Sequence, residues 1–245
     1  KPLAFFSIAD NNNLKYFEMM KNSLSKFHPD IPLILIGEEQ IKRYNDPHFF
    51  YRATPIVASE LLNEYECVVK LDCDQIITGD LSHIWTGDFD VGVVNNSNPR
   101  EFKTYPVSVL DIHPLAYVNC GFVVMKSKQF VEHWKQLCLS PHFQSFQYRE
   151  QDLLNIMCFY MNYIYKVMLL DVGDKWHGLV WKQFEPQVIL RDGKLILPKN
   201  EEWPVDSDKE LVCWHVAGGN QPNKMNYRIR FRPEVVKYLD QLVKI

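Results

Sequence analysis

Two aspartates separated by one residue, Asp72 and Asp74, are the side chains in this sequence best placed to do chemistry. They directly follow an apolar run at positions 67–71, which is typical of a short buried strand. Ligands bind at the edge where the strands of an open α/β sheet end. Paired carboxylates at that edge can share a hard divalent cation, which can in turn neutralise a diphosphate. Asp-x-Asp also occurs at 88–90 and 206–208, but neither of these follows a strand-like run.

A histidine provides a candidate third ligand. His215 ends another apolar run, 211–214, and is followed by Gly218 and Gly219. An imidazole beside two carboxylates favours Mn²⁺ over Mg²⁺, although Mg²⁺ remains possible. A histidine at a strand end can equally be structural, so the residue types alone leave both roles open.

Two polar segments at other strand boundaries also have alternative interpretations. The segment Ala9–Asn12 is suited to contacting a base and ribose, or to capping the helix that follows. The segment Asn119–Gly121 offers an amide beside an unhindered backbone, or a simple turn. Both lie where a nucleotide-sugar site would need them.

The elements that must position these residues form a repeating pattern of apolar runs and amphipathic segments. The runs at 3–8, 32–37 and 67–71 do not alternate, which predicts strands buried on both faces, and helical spacing occurs between them. This pattern predicts a doubly wound, parallel sheet. Further strands are predicted at 91–94, 122–125 and 211–214, helices at 14–27, 55–64, 127–139 and 150–160, and a hairpin around Asp192-Gly193.

The fold class predicted from this order is α/β, with a mostly parallel central sheet flanked by helices and a small C-terminal hairpin region. A chain of 245 residues without repeats or a clear linker favours a single domain, 1–245. Within it we expect a nucleotide-binding part at about 1–95, an acceptor-side part at about 96–232 and a closing helix at 233–244.

Composition narrows the possible partners. A net charge of −3 gives no reason to expect nucleic acid, and no apolar stretch reaches the ~18 residues of a membrane helix. The six cysteines are scattered without a Cys-x-x-Cys pair, which argues against structural zinc and favours free thiols in a reducing, cytoplasmic compartment. The chain begins at Lys1, so it can also be a soluble catalytic piece of something longer.

Five segments together resemble glycosyltransferase family 8, whose members have the GT-A fold and include glycogenin and bacterial lipopolysaccharide galactosyltransferases. The matching segments are, in chain order, Phe6–Asn12, Leu71–Asp74, Val118–Phe122, Glu150–Asn155 and His215–Gly218. The resemblance implies a Rossmann-like nucleotide-diphospho-sugar transferase. It would move a hexose, with glucose and galactose the first candidates, from a UDP-sugar to a hydroxyl of a glycan or glycoconjugate, with retention of anomeric configuration.

The resemblance also implies a role for individual residues. Asp72, Asp74 and His215 would hold Mn²⁺. Nucleotide contacts would come from Ile8, Asp10, Asn12, Cys73, Gly218 and Lys224, sugar contacts from Asn119, Gly121 and Glu150, and the catalytic residues would be Gln151 and Asp152. Glutamine is a poor nucleophile, which favours an internal-return mechanism in which the leaving phosphate assists the incoming hydroxyl.

Two alternative functions stay open, one because of departures from the family pattern and one because of a second resemblance. Glu150 stands where the family has Asp, Lys224 lies three residues later than expected, and Pro55 and Val57 occupy the place of a basic residue. These changes are compatible with a weak or inactive homologue that binds a UDP-sugar or glycan. The segment 72–76 also resembles the first motif of haloacid-dehalogenase-like phosphatases, in which Asp72 would be the nucleophile.

Two further segments carry looser expectations. Arg228, Arg230 and Arg232 alternate with apolar residues, which predicts three cations on one face. That face would belong to a solvated edge strand or would form an auxiliary cradle for pyrophosphate or an acidic acceptor. Trp176–Gly178 is predicted to lie in a loop and to contact the acceptor.

Overall fold

The computed structural model describes residues 1–96, 112, 116–180, 182–201, 205–216 and 225–244. The helices in this part are α1 (Leu14–Phe27), α2 (Glu38–Arg43), α3 (Ala53–Leu61), α4 (Lys128–Leu139), α5 (Glu150–Tyr160) and α6 (Pro233–Val243). The strands are β1 (Leu3–Ile8), β2 (Leu33–Ile36), β3 (Cys67–Leu71), β4 (Gln75–Ile77), β5 (Val91–Asn95), β6 (Val118–Met125), β7 (Val167–Leu169), β8 (Lys175–Leu179), β9 (Ile189–Arg191), β10 (Lys194–Leu197) and β11 (Lys209–His215).

A six-stranded sheet in the order β2-β1-β3-β6-β5-β7 forms the centre of the fold. β1 pairs in parallel with both β2 and β3, and β5 pairs in parallel with β7. β6 runs antiparallel to both of its neighbours, β3 and β5, so it does not continue the parallel order expected from sequence. The beginning of β6 therefore lies at the sheet edge where β1 and β3 end.

Helices cover both faces of this sheet, which explains why its strands are apolar without alternation. Ala4 and Phe6 of β1 pack in the core beneath α3, α4 and α5. Leu3 and Phe5 of the same strand pack on the opposite face, beneath α1. The predicted α/β fold class is confirmed.

A second, five-stranded sheet lies beside the first. Its strand order is β4-β11-β10-β9. β4 and β10 pair with opposite ends of β11 along one of its edges, and β8 pairs in parallel along the other edge. The predicted hairpin is β9 and β10, and both Asp192 and Gly193 have positive φ (52° and 75°), as a tight hairpin turn requires. The hairpin is thus the outer part of a larger sheet whose central strand ends at His215.

The predicted row of arginines is wrong. Tyr227–Ile229 forms one turn of 3₁₀ helix, so residues two apart do not share a face. Arg228 binds Asp240 and Arg230 binds Glu185, while Arg232 donates to the carbonyl of Pro186. Each cation is used by a different partner, and Pro233 starts α6 immediately afterwards.

The predicted acceptor loop at Trp176–Gly178 is also wrong, because these residues lie within β8. Trp176 is 3% exposed and His177 is fully buried. Trp176 packs in a hydrophobic core cluster and the His177 ring packs against Phe122, so neither side chain is available to an acceptor.

The composition also led to predictions about the cysteines and about membrane-spanning helices. All six cysteines are free thiols, as expected from their spacing. In the described part of the chain, no helix combines the length and apolar character needed to cross a bilayer.

A buried polar cluster joins the two sheets. One carboxylate oxygen of Asp171 accepts from the backbone N–H of Asn95 in β5 (3.1 Å), and the other accepts from the N–H of His177 in β8 (2.8 Å). The His177 ring continues the chain, with its Nδ1 3.2 Å from Asp171 and its Nε2 2.6 Å from Nε2 of His83. Burial, together with His177, lowers the pKa of His83 to about 4.

This cluster should make stability depend on pH. His83 stays neutral in the folded protein down to pH about 4, whereas it protonates near its ordinary pKa of 6.5 when unfolded. The unfolded state therefore binds more protons between these values, and the free energy of unfolding should fall as pH drops from 6.5 to 4. We expect His83→Gln to remove about 2 kcal/mol of that fall, less than the roughly 3 kcal/mol that the full shift would give because His83 is only partly buried, measured by urea denaturation at both pH values. An unchanged pH dependence in this variant would contradict the assignment.

Candidate active site

Strand ends from both sheets meet at the residues predicted to bind metal. The backbone N–H of Asp72, directly after β3, donates to the carbonyl of Gly121 in β6 (2.8 Å). β4 begins directly after Asp74 and pairs antiparallel with β11, with Gln75 opposite His215. This register brings the end of β11 next to the start of β4, and Asp74 and His215 side by side.

Asp72, Asp74 and His215 form a compact set of metal-ligand atoms, all within 4.8 Å of one another. Nε2 of His215 lies 3.4 Å from Oδ2 of Asp72 and 3.3 Å from Oδ1 of Asp74. The imidazole is buried, whereas the Asp72 side chain is 37% exposed. Among the described residues this is the one group of three such side chains that could hold a metal ion. Neither of the other Asp-x-Asp pairs contributes to such a group.

The absence of a side chain at Gly121 keeps the space beside these ligand atoms open. A Cβ placed there would lie 2.4 Å from Cε1 of His215, 2.5 Å from Oδ2 of Asp72 and 2.6 Å from Oδ1 of Asn119. Two carboxylates and an imidazole are donors that a Mn²⁺ or Mg²⁺ ion accepts. The donor set and the open space beside it therefore fit a divalent cation.

A buried lysine lies directly behind this set. Lys70, in β3, is 4% exposed, and its ammonium binds Oδ1 of Asp72 and the carbonyl of Cys120 (3.0 Å). Oδ2 of Asp72 is left facing His215. One oxygen of this carboxylate is thus held by a fixed cation, and the other is available to a ligand.

These contacts set the protonation of the site. Burial alone would lower the pKa of His215, but Asp74 and Asp72 outweigh it and raise the pKa to about 9. Burial alone would raise the pKa of Asp72, but Lys70 and His215 hold it below its usual range. Before an ion binds, a proton on His215 therefore offsets part of the charge of the two carboxylates.

Asn119 and Gln151 lie next to the cluster in a buried amide network. Nδ2 of Asn119 donates to Oδ1 of Asn96 (2.8 Å) and to Oε1 of Gln151 (3.1 Å). Oε1 of Gln151 also accepts from the backbone N–H of Cys120 (3.1 Å). Asn119 and Gly121 lie within β6, rather than in a turn before it. The network fixes the Gln151 side chain against the start of β6.

Asp152 has a different environment from Gln151. It is fully buried, and its carboxylate accepts from the hydroxyl of Tyr117 and from the backbone N–H of Tyr148 (2.8 Å). Three residues further on, Asn155 bonds both the N–H and the carbonyl of Val118 (2.8 and 2.9 Å). These contacts attach the first two turns of α5 to the start of β6.

Glu150 lies beneath the site and is held by the N-terminus of α3. Its two oxygens accept from the backbone N–H and the hydroxyl of Thr54 (3.1 and 2.8 Å). Burial raises the pKa of Glu150 to about 7, although Lys70 and Thr54 oppose the shift. Its carboxylate also lies 3.9 Å from Sγ of Cys120.

The described residues among those predicted to contact the nucleotide lie at the same sheet edge as the metal-ligand set. Ile8 ends β1, and Asp10 and Asn12 follow it. The Asp10 carboxylate accepts from the backbone and side chain of Asn13 (3.1 and 2.7 Å), as expected of a residue that shapes the start of α1. Cys73 is partly exposed between the two aspartates. Gly218 and Lys224 lie outside the described residues.

Residues 2–179 match the family model described as glycosyl transferase family 8. The chain belongs to glycosyltransferase family 8. The matched region includes Asp72, Asp74, Asn119 and Gln151, whereas His215 lies beyond it. A comparison with curated proteins found none that is significantly similar in sequence.

Solved structures of similar fold are also glycosyltransferases. The galactosyltransferase LgtC, solved with donor and acceptor sugar analogues, has a TM-score of 0.60 at 13% identity, covering 99% of this chain and 97% of its own. A glycosyltransferase involved in glycosylation of the major capsid of PBCV-1 has a TM-score of 0.60 at 11% identity, covering 93% and 100%. The bifunctional WbbM has a TM-score of 0.56 at 13% identity, covering 99% and 52%. At these identities the similarity shows the GT-A fold.

Sequence reasoning missed Lys70, Tyr117 and Thr54. Lys70 left a signal, because it is the one charged residue in a run that is otherwise apolar and predicted to be buried. A charge in such a strand requires a partner. The other two left none, since their roles depend on how α3 and α5 pack against β6.

The geometry at Gly121 predicts that a larger residue at this position would weaken ion binding. In Gly121→Ala the added methyl would overlap His215 and Asp72, which must then move apart. We expect Mn²⁺ affinity to fall at least about tenfold in isothermal titration calorimetry. Gly173→Ala is the matched control, because a Cβ at Gly173 meets nothing within 4 Å. Wild-type affinity in Gly121→Ala would argue against a cation at this position.

Proposed function

We propose that this chain is a retaining, metal-dependent hexosyltransferase that uses a UDP-sugar donor and a hydroxyl acceptor on a glycan or glycoconjugate. The observation that carries this proposal is the Asp72–Asp74–His215 set at the carboxyl edge of a family 8 fold. Mn²⁺ is the favoured ion, with Mg²⁺ possible. A bound divalent cation would neutralise the diphosphate and stabilise the departing UDP.

The chain's own residues would then bind and orient the donor. Ile8 ends β1, Asp10 and Asn12 follow it, and Cys73 follows the neighbouring strand β3. These residues are therefore proposed to line one nucleotide groove. Gly218 and Lys224 are proposed to contact the phosphates. Asn119, Gly121 and Glu150 are proposed to contact the transferred sugar, and the absence of a side chain at Gly121 leaves space beside the backbone there. Glucose and galactose are the first candidate sugars, and the galactosyltransferase activity named for LgtC is in keeping with this.

Gln151 is proposed to lie beneath the anomeric carbon. Its carbonyl oxygen already accepts two hydrogen bonds, from Asn119 and Cys120, which makes it a still poorer nucleophile. Asp152 is engaged by Tyr117 and Tyr148. These contacts support an internal-return mechanism, in which the leaving phosphate accepts the proton of the incoming hydroxyl on the same face of the sugar. A sugar trapped covalently on Asp152 would contradict it.

The two alternative functions are no longer equally supported. Family membership leaves the phosphatase alternative without support, because that alternative rested on a resemblance of one short segment. A weak or inactive homologue remains the rival proposal, because Pro55 and Val57 replace a basic residue and Lys224 is displaced. Only turnover distinguishes this homologue from an active enzyme.

The first test is hydrolysis of a panel of UDP-sugars in the presence of Mn²⁺, Mg²⁺ or EDTA. We expect Mn²⁺-dependent release of UDP from a hexose donor, abolished by EDTA and reduced at least about 10²-fold in Asp74→Ala, which removes a ligand. UDP binding that depends on Mn²⁺ without any turnover would instead indicate an inactive or acceptor-gated protein. Release of phosphate from simple phosphomonoesters would refute the proposal.

A second test separates the roles of Gln151 and Asp152. Gln151→Ala removes a group proposed to touch the sugar, and we expect kcat to fall about 10²-fold with little change in UDP affinity. Asp152→Asn keeps the size of the side chain but removes the charge buried against Tyr117. For that variant we expect a lower melting temperature and a much smaller loss of kcat. The reverse pattern would assign the chemistry to Asp152.

A further inference from the structure

The fixed charge of Lys70 has a consequence for how tightly the site holds its ion. Its ammonium binds one carboxylate oxygen of Asp72, while the other oxygen faces His215. The lysine is 4% exposed, and its second bond, to the carbonyl of Cys120 at 3.0 Å, ties it to β6. A side chain enclosed in this way cannot withdraw when a cation arrives.

The charges around the site show what the lysine does. Asp72 and Asp74 provide two negative charges to a cation. Lys70 offsets one of the two, and it does so at the ligand carboxylate itself. A positive charge this close to the site weakens the binding of a cation and strengthens the binding of an anion.

We propose that Lys70 is a positioning residue that keeps the affinity of the Asp72–Asp74–His215 set for a divalent cation low until an anionic diphosphate supplies the missing negative charge. This inference rests on the proposed function. It implies that the ion binds and leaves together with the nucleotide, because neither the ion nor the diphosphate is fully neutralised without the other.

The test is Lys70→Met, which keeps an unbranched side chain only one atom shorter and removes its charge. Calorimetry would measure the affinity for Mn²⁺ alone, and then the affinity for UDP at saturating Mn²⁺. We expect Mn²⁺ to bind at least about tenfold more tightly and UDP to bind at least about tenfold more weakly. Shifts of opposite sign are diagnostic, because general damage to the site would weaken both.

Lys209 provides a matched control. It is also a 4% exposed lysine in a strand, and it pairs with Asp206 (3.2 Å) and donates to the carbonyl of Gly173 (2.8 Å), at the end of β11 opposite to His215. Lys209→Met removes an equivalent buried charge away from the site and should change neither affinity. Lys70→Gln, which can still donate to the Cys120 carbonyl, replaces Lys70→Met if the latter does not fold.

The outcomes separate this inference from the function on which it rests. If the wild-type protein binds neither Mn²⁺ nor UDP, the proposed function itself fails. If it binds both, but the neutral variants weaken both affinities together or change neither, then only the role of Lys70 is overturned. Opposite shifts in a neutral Lys70 variant, with Lys209→Met unchanged, support it.

Discussion

The clustering of three carboxyl groups at one sheet edge is the constraint on which the rest of this structure depends. Asp72 and Asp74 lie side by side with Glu150 beneath them, and each carboxyl group costs free energy on burial unless a partner stabilises it by charge or by hydrogen bonds. Lys70 binds the first, His215 lies against the first two, and the N-terminus of α3 binds the third through Thr54. Each partner comes from a different element, so the site exists only once β3, β11 and α3 are in place.

The reversal of β6 supplies the rest of the site. Because β6 is antiparallel to β3, its first residues lie where β3 ends, and the carbonyl of Gly121 accepts from the N–H of Asp72. Asn155 then attaches α5 to the same end of β6 by bonding both polar backbone groups of Val118. One strand thus connects the cation ligands to the helix that carries Gln151.

Charge balance also gives physical meaning to the departures from the family pattern. The basic residue expected on α3 from the family resemblance is absent, and a buried cation, Lys70, lies in the following strand, β3. In the role proposed for Lys70, this cation would act on a bound ion through Asp72, from behind the site.

The sequence by itself determined the strands β1, β2 and β3 and the residues that follow them. Unalternating apolar runs predicted the buried strands, and Asp72, Asp74 and His215 were identifiable because each follows or ends such a run. The tertiary structure decided what these segments do together. Strand direction cannot be read from an apolar run, so the reversal of β6 was invisible, and the alternating arginines 228–232 fit an edge strand until their separate partners were known. Thr54 and Tyr117 likewise acquired roles only through contacts with residues distant in sequence, because stabilisation of a carboxyl group depends on distance in space, which the order of residues along the chain does not specify.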